Sequence, residues 1–312
     1  MEGQLHRAVK RGELFLEYQP VIDMSTGRIS SFEALIRWRH PELGLVTPDN
    51  FIPIAENTDL IEAIGWWVLE TACRQLNAWQ ASGHEHLSIA INVSAVQLRN
   101  AELADHIIGI VEQIGILPGS LTIEITESAL IHHIDTAVSI ITRLSSAGVR
   151  ISLDDFGTGY SSLSYLKRFS IDIVKIDRSF LQDFPFHAHD TAIISAIIAM
   201  AHSLGLHVIA EGVETEEQLK VLQTLKCDEC QGYLFSKPIS REQATLLLSN
   251  PTNIRRKVWA AGSHEKLVNN SALSGVLNNI VVAAEQHVAR VNAHQPEQLR
   301  AAGDKNQAFL TK

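Results

Sequence analysis

One pattern recurs along this chain and leaves few folds open to it. A short apolar run that reads as a strand ends in an acidic or amide side chain, and a helical stretch follows. Ile29-Ser-Ser-Phe-Glu33-Ala34-Leu35 ends the first such run. Asn92, then Glu124 with Glu127, then Asp154-Asp155, then Lys175 with Asp177, then Glu211 and finally Gln231 end those that come after. Any one of these is explained by a helix cap or a solvated strand end. The whole series in order predicts alternating strands whose polar ends meet at one mouth, the pattern of a (β/α)₈ barrel. The expected fold class is therefore α/β, a TIM-like (β/α)₈ barrel.

The rest of the chain fills in this plan. Residues 15–21 and 28–38 read as strands joined across Ser25-Thr26-Gly27, hence an antiparallel hairpin. A helix is expected near residues 2–10, and another from Pro48-Asp49-Asn50 to Glu56. Asp59 is placed to cap a long helix reaching about Ala81. Further helices are expected near 101–115, 131–148, 189–205 and 215–225, with Gly115, Gly148 and Gly205 where helices should stop. Residues 1–250 read as the barrel domain and 251–312 as a C-terminal helical extension. Its residues 270–292 carry Leu273, Val276, Leu277, Ile280, Val281, Ala284, Val288 and Val291 at helical spacing, a stripe expected to pack on the chain's own domain.

At 312 residues the chain suffices for one large, well-buried domain. Its formal net charge of −9 argues against a nucleic-acid polymer as partner, since phosphate binding to such a chain needs a basic face. A small phosphate diester is compatible with it if metal ions supply the positive charge. No apolar run approaches a membrane span, and the first residues carry no signal-peptide core, so a cytoplasmic location is expected. Cys73, Cys227 and Cys230 do not make a disulfide framework. His132, His133, His187 and His189 read as surface residues, the first two at a helix start and the others on a loop.

The run Asp154-Asp155-Phe-Gly157-Thr-Gly159-Tyr-Ser-Ser carries the most chemistry. Neighbouring strand residues point to opposite faces, so both carboxylates reach one point only if the backbone turns there. Adjacent carboxylates repel, and a divalent cation relieves this. The alternative is an Asp pair capping the next helix.

Taken together and in order, Glu33-Ala34-Leu35, Asn92, Glu124-Ile-Thr-Glu127, the Asp154-Asp155 run, Lys175-Ile-Asp177, Glu211-Gly-Val-Glu214-Thr and Gln231-Gly-Tyr-Leu-Phe-Ser-Lys-Pro238 resemble the EAL-domain phosphodiesterases that hydrolyse cyclic di-GMP. The resemblance runs from about Leu5 to about Ser249 and implies a barrel with one reversed strand. It implies hydrolysis to linear pGpG with two Mg²⁺ or Mn²⁺ ions. Glu33, Asn92, Glu124 and Asp154 would hold one ion, and Asp154 would bridge to a second held by Asp155. All-oxygen ligation suits these metals better than zinc. Glu211 would be the general base or orient the attacking water, and Lys175 would hold that water or the oxyanion, unless it is only a salt bridge in the mouth. Arg37, Leu35, Gln19 and Gln231 would contact the ligand. Glu127 would anchor the loop after the aspartate pair, which the family links to a homodimer interface. The chain begins almost at the first barrel element, which suits a stand-alone protein or the end of a longer one with a sensor domain. A non-catalytic cyclic di-GMP receptor is the second candidate function. A Mg²⁺-dependent barrel enzyme acting on a carboxylate substrate, with Lys175 as base, is the third.

Overall fold

The alternation of side chains along each strand decides what the barrel can hold inside. The computed structural model describes residues 2–58, 60–132, 134–158 and 168–250. Strands β1 (Leu14–Asp23) and β2 (Ile29–His40) form the expected hairpin, with Gln19 opposite Glu33. They are followed by β3 (Gly44–Val46), β4 (Ser88–Asn92), β5 (Leu121–Thr126), β6 (Arg150–Phe156), β7 (Ile173–Ile176), β8 (His207–Ala210) and β9 (Glu229–Gln231). The order β1-β9-β8-β7-β6-β5-β4-β2, with β2 paired back to β1, closes an eight-stranded ring. Every pair in the ring is parallel except those of β1 with β2 and with β9, so β1 is the reversed strand. The short β3 hangs on β2 outside the ring, an element the sequence pattern did not reveal.

One face of each strand is apolar. Ile89 and Ile91, Ile123 and Ile125, Ile151 and Leu153, and Val174 and Ile176 are buried in the main core, under the surrounding helices. Residues of the other parity face inward. Val21, Ile173 and Ile209 form a separate small cluster there, and Ser31, Ser88, Thr122 and Ser152 are buried polar residues of the same parity. Small side chains low in the barrel leave the long ones, Glu33, Glu124, Lys175 and Glu211, to fill its upper end.

The helices are α1 (Glu2–Arg11), α2 (Pro48–Glu56), α3 (Leu60–Ala81), α4 (Leu103–Ile114), α5 (Glu127–His132), α6 (Ile134–Ser146), α7 (Ala188–Ser203), α8 (Glu216–Thr224) and α9 (Arg241–Ser249). Where one helix is expected over 131–148, helical residues begin earlier, at Glu127 directly after β5, and end at Ser146. His189 lies in the first turn of α7 rather than on a loop, although its side chain is exposed as expected. Asp59, His133, part of the loop after Asp155, and the whole extension 251–312 lie outside the described residues. Among the described residues no helix is long and apolar enough to cross a membrane. Cys73, Cys227 and Cys230 are free and buried. Burial pushes the Cys73 and Cys227 thiols up to about 12.

At the closed end of the barrel, His207 opens β8 between two carboxylates. Its Nε2 is 3.3 Å from Glu229 Oε2 and its Nδ1 3.7 Å from Asp228 Oδ2. Burial works against the charged ring, but Glu229 and Asp228 outweigh it and raise the His207 pKa above its ordinary value. A raised folded-state pKa adds stability below the unfolded value of about 6.5, and this is lost as pH rises through the folded value. Urea midpoints measured across about pH 5.5 to 8.5 should therefore fall more steeply for the wild type than for His207→Asn. Parallel curves would exclude the ring as their cause.

Candidate active site

Asp154 and Asp155 reach the same mouth by a backbone irregularity inside β6, not by the end of the strand. The β6–β7 register shifts between Leu153 and Phe156, and Asp155 takes a left-handed φ of 55°. A bulge of this kind breaks the alternation and turns two successive side chains toward one side. Gly157 follows at φ 96°. A Cβ there would sit 2.9 Å from the Phe180 ring, so both conformation and space demand glycine. Glu127, the first residue of α5, is 7% exposed. Its Oε2 accepts the Gly157 N–H at 3.4 Å, while its Oε1 is buried without a partner among the described residues.

Lys175 is the centre of the site. It is 1% exposed, and its Nζ lies 2.6 Å from Glu211 Oε1, 2.9 Å from Glu124 Oε2, 3.5 Å from Asp154 Oδ1 and 3.7 Å from Glu33 Oε2. The neighbouring strands set this spacing: Asn92 is paired with Glu124 in register, and Thr126 with Asp154. Two amides brace Glu33. Asn92 Nδ2 donates to its Oε1 and Gln231 Nε2 to its Oε2, both at 2.8 Å.

One ammonium among four carboxylates leaves an excess of negative charge. Burial opposes the charge on Glu33, but Lys175 and the two amides outweigh it and hold its carboxyl below the ordinary range. Burial pushes Glu124 well above that range despite Lys175, with Glu33 and Asp154 adding to the rise. Burial pushes Glu211 up to about 8, again against Lys175. Asp155 is raised by burial and by Asp154 beside it. Burial would lower Lys175, but the surrounding carboxylates raise it well above its ordinary value. The cluster therefore favours any further positive charge at its open side.

That side opens on a cavity of about 460 Å³. Gln19, Glu33, Leu35, Asp154, Asp155, Glu211 and Gln231 line it, as expected from the sequence. Asn92, Glu124 and Lys175 join through the contacts above, and Glu127 through Gly157. Arg37 does not reach the cavity. Its Nε donates to Glu17 Oε2 at 2.8 Å and its Nη1 to the Ile36 carbonyl at 2.9 Å. Gln231 is held against Glu33, and its Oε1 is buried without a partner among the described residues.

Asp49, Asp177, Arg178, Glu214 and Tyr233 also line the cavity, although sequence reasoning gave none of them a metal, catalytic or ligand role. Asp177 shares the face of Lys175 two residues on, a period-two signal that was available. Arg178 gave none. It enters because Gly212, at φ 71°, lets the chain pass so close that a Cβ would lie 2.6 Å from Arg178 Cβ.

A closed barrel with one reversed strand and a lysine-centred carboxylate mouth defines the class of protein. The EAL domain family model matches residues 2–238, and the chain belongs to that family. Cyclic di-GMP phosphodiesterase NbdA of Pseudomonas aeruginosa is 46% identical over 239 residues, which are 77% of this chain and 30% of that protein. The bifunctional diguanylate cyclase/cyclic di-GMP phosphodiesterase MucR of the same organism is 45% identical, over 77% of this chain and 35% of its own length. The chain thus spans about a third of these relatives. A solved structure described as PaMucR phosphodiesterase in a c-di-GMP complex superposes with a TM-score of 0.75 at 44% identity, covering 78% of this chain and 98% of that one.

Proposed function

We propose that this chain hydrolyses cyclic di-GMP to linear pGpG with the help of divalent cations, Mg²⁺ or Mn²⁺. The observation that carries the proposal is the Lys175 cluster, in which Glu33, Glu124, Asp154 and Glu211 surround one ammonium at the mouth of a barrel shared with phosphodiesterase relatives. The chain keeps Glu33, Asp154, Asp155, Lys175 and Glu211, which favours an enzyme over a receptor.

The donor set fits divalent cations. Glu33, Asn92, Glu124, Asp154 and Asp155 offer only hard oxygen atoms, and the cluster carries uncompensated negative charge. Among the described residues no three acidic, His or Cys groups are already drawn into a cation cage. Glu33, Glu124, Asp154 and Glu211 pair with Lys175 instead. Bound cations would supply charge to the phosphodiester and make water more acidic.

The chain's own groups then have separable tasks. In forming pGpG, a water oxygen bonds to phosphorus and the P–O3′ bond breaks, leaving phosphate on the 5′ oxygen. Glu211 takes the proton from that water. Lys175, 2.6 Å away, holds the Glu211 carboxylate in place and stabilises the negative charge that develops nearby. The 3′ oxygen takes its proton from solvent at the open side.

The direct test is to incubate the protein with cyclic di-GMP and Mg²⁺ and look for pGpG, with binding measured in parallel. EDTA should abolish the product and Mg²⁺ or Mn²⁺ restore it. Binding without product would make the chain a receptor, and turnover that survives exhaustive chelation would sink the cation proposal.

Glu127 acts at one remove. Its bond to Gly157 fixes the loop that begins at the Asp155 bulge. Glu127→Ala should lower turnover on the order of a hundredfold, the usual cost of a small misplacement of reacting groups, and raise the Mg²⁺ concentration needed. If Glu127 matters only to the start of α5, the variant melts earlier, by about 1 kcal/mol, with an unchanged metal profile.

A further inference from the structure

The wall above the catalytic cavity holds a positive charge turned away from it. Gln19, Glu33 and Leu35 line the cavity. Glu17 and Arg37 continue the same two strands with the same inward parity. In the hairpin register Gln19 stands opposite Glu33, Glu17 opposite Leu35 and Phe15 opposite Arg37. Arg37 is thus the diagonal neighbour of Glu17, within reach of a long side chain. Its Nε lies 2.8 Å from Glu17 Oε2, and its Nη1 turns back onto the Ile36 carbonyl at 2.9 Å. These bonds hold the guanidinium out of the cavity, although its backbone is only about 7 Å along the strand from Leu35.

The site has use for that charge. Seven carboxylate residues line the cavity against one cationic residue, Arg178. The Lys175 ammonium is already shared among four carboxylates. An anionic ligand entering such a mouth gains from any further cation on its wall.

Arg37 keeps three of its five N–H donors without a partner among the described residues, and a guanidinium fork matches phosphate oxygens. The Glu17 carboxylate stands between it and that use. A carboxylate and a phosphate are the same kind of partner for one guanidinium, so they compete. The side chains of Arg37 and Glu17 are 12% and 23% exposed, so water screens this pair less than one on the open surface.

We propose that Glu17 is a latch on Arg37: it holds the guanidinium at the rim, and an entering phosphodiester gains that guanidinium only by displacing the Glu17 carboxylate. Glu17 thereby weakens the hold of the cavity on its ligand, compared with a neutral residue at the same place. It is a positioning residue that acts only through Arg37. The ligand arm of the test rests on cyclic di-GMP as the substrate proposed above, and the latch itself is read without any ligand.

Glu17→Gln keeps the size of the side chain and removes its charge. Without ligand, phenylglyoxal, which modifies accessible guanidinium groups, should label Arg37 about fivefold faster in Glu17→Gln than in the wild type, as read by peptide mass mapping. With ligand, calorimetric titration of cyclic di-GMP under Ca²⁺ should show about fivefold tighter binding to Glu17→Gln. That gain should vanish when Arg37→Met is already present, the coupling that a double-mutant cycle isolates. An ion pair that only braces the hairpin would lower the melting temperature on replacement and leave both readouts unmoved, which overturns the proposal. Unchanged labelling of Arg37 overturns the latch whatever the ligand is. Equal or weaker binding of cyclic di-GMP by Glu17→Gln, or a gain that survives in Arg37→Met, overturns it as well. Faster labelling with no cyclic di-GMP binding by wild type or variant would uphold the latch and overturn cyclic di-GMP as its ligand.

Discussion

Lys175→Met should unfold earlier than wild type in EDTA and lose nearly all turnover in Mg²⁺. The ammonium is the positive partner of four carboxylates, and it is 1% exposed. Removing one side of a buried ionic network leaves the other without compensation, at a cost of about 3–5 kcal/mol. For a domain of this size that is on the order of 10 °C in melting temperature. Two effects soften the loss, and both can be read out. Glu124 and Glu211 already hold their protons more tightly than ordinary carboxyls, so acid pH neutralises them and the variant should recover as pH falls. Divalent cations that bind only the folded state should also restore stability, by about 2.7 kcal/mol at a hundredfold excess over their dissociation constant. Turnover should stay down by about a hundredfold or more under all these conditions, as when an oxyanion donor is removed. A variant that melts like wild type in EDTA would show that the carboxylates do not depend on this ammonium.

Glu211→Gln should separate chemistry from binding. The amide keeps the shape of the side chain and an oxygen for Lys175 to hold, but it cannot take a proton from water. General-base contributions of this kind run to about 10²–10⁴ in rate, so kcat should fall by that factor. The affinity for cyclic di-GMP, measured by titration under Ca²⁺ or with the inactive variant itself, should stay within about threefold, since 1.4 kcal/mol is needed for a tenfold change. Affinity that falls as far as the rate would make Glu211 a ligand contact and reassign the base.

The strand ends were legible because two constraints agree at each of them. Glu33, Glu124, Lys175 and Glu211 stand at the inward parity of an apolar strand, so pattern and chemistry coincide. The Asp155 bulge was half legible. The carboxylate pair demanded that the backbone turn, but strand and bulge look alike in sequence until register is known. Arg37 shows the limit in the other direction. Its strand parity places it on the inner face two residues beyond Leu35, yet Glu17 from the partner hairpin strand takes its guanidinium, and that pairing depends on register. Arg178 was invisible for a related reason. Its place at the cavity depends on how closely two loops pass at Gly212, which no local pattern encodes. The short β3 lacked the length to show any period.

The reversed β1 has a consequence in time. The ring is sealed by three residue pairs between β1 and β9, Val21–Gln231, Ile22–Cys230 and Asp23–Glu229, and one of the two amides that brace Glu33, that of Gln231, sits on that last strand, 198 residues downstream. During synthesis the first hairpin leaves the ribosome with one wall of the site in place and then waits for the final strand. Joining such distant segments is slow compared with local pairing, and until it happens β1 is an open edge that a neighbouring nascent chain can reach. A growing chain of this kind therefore passes through an interval with no working half-site, in which its first strand and its last must find each other before a copy beside it does.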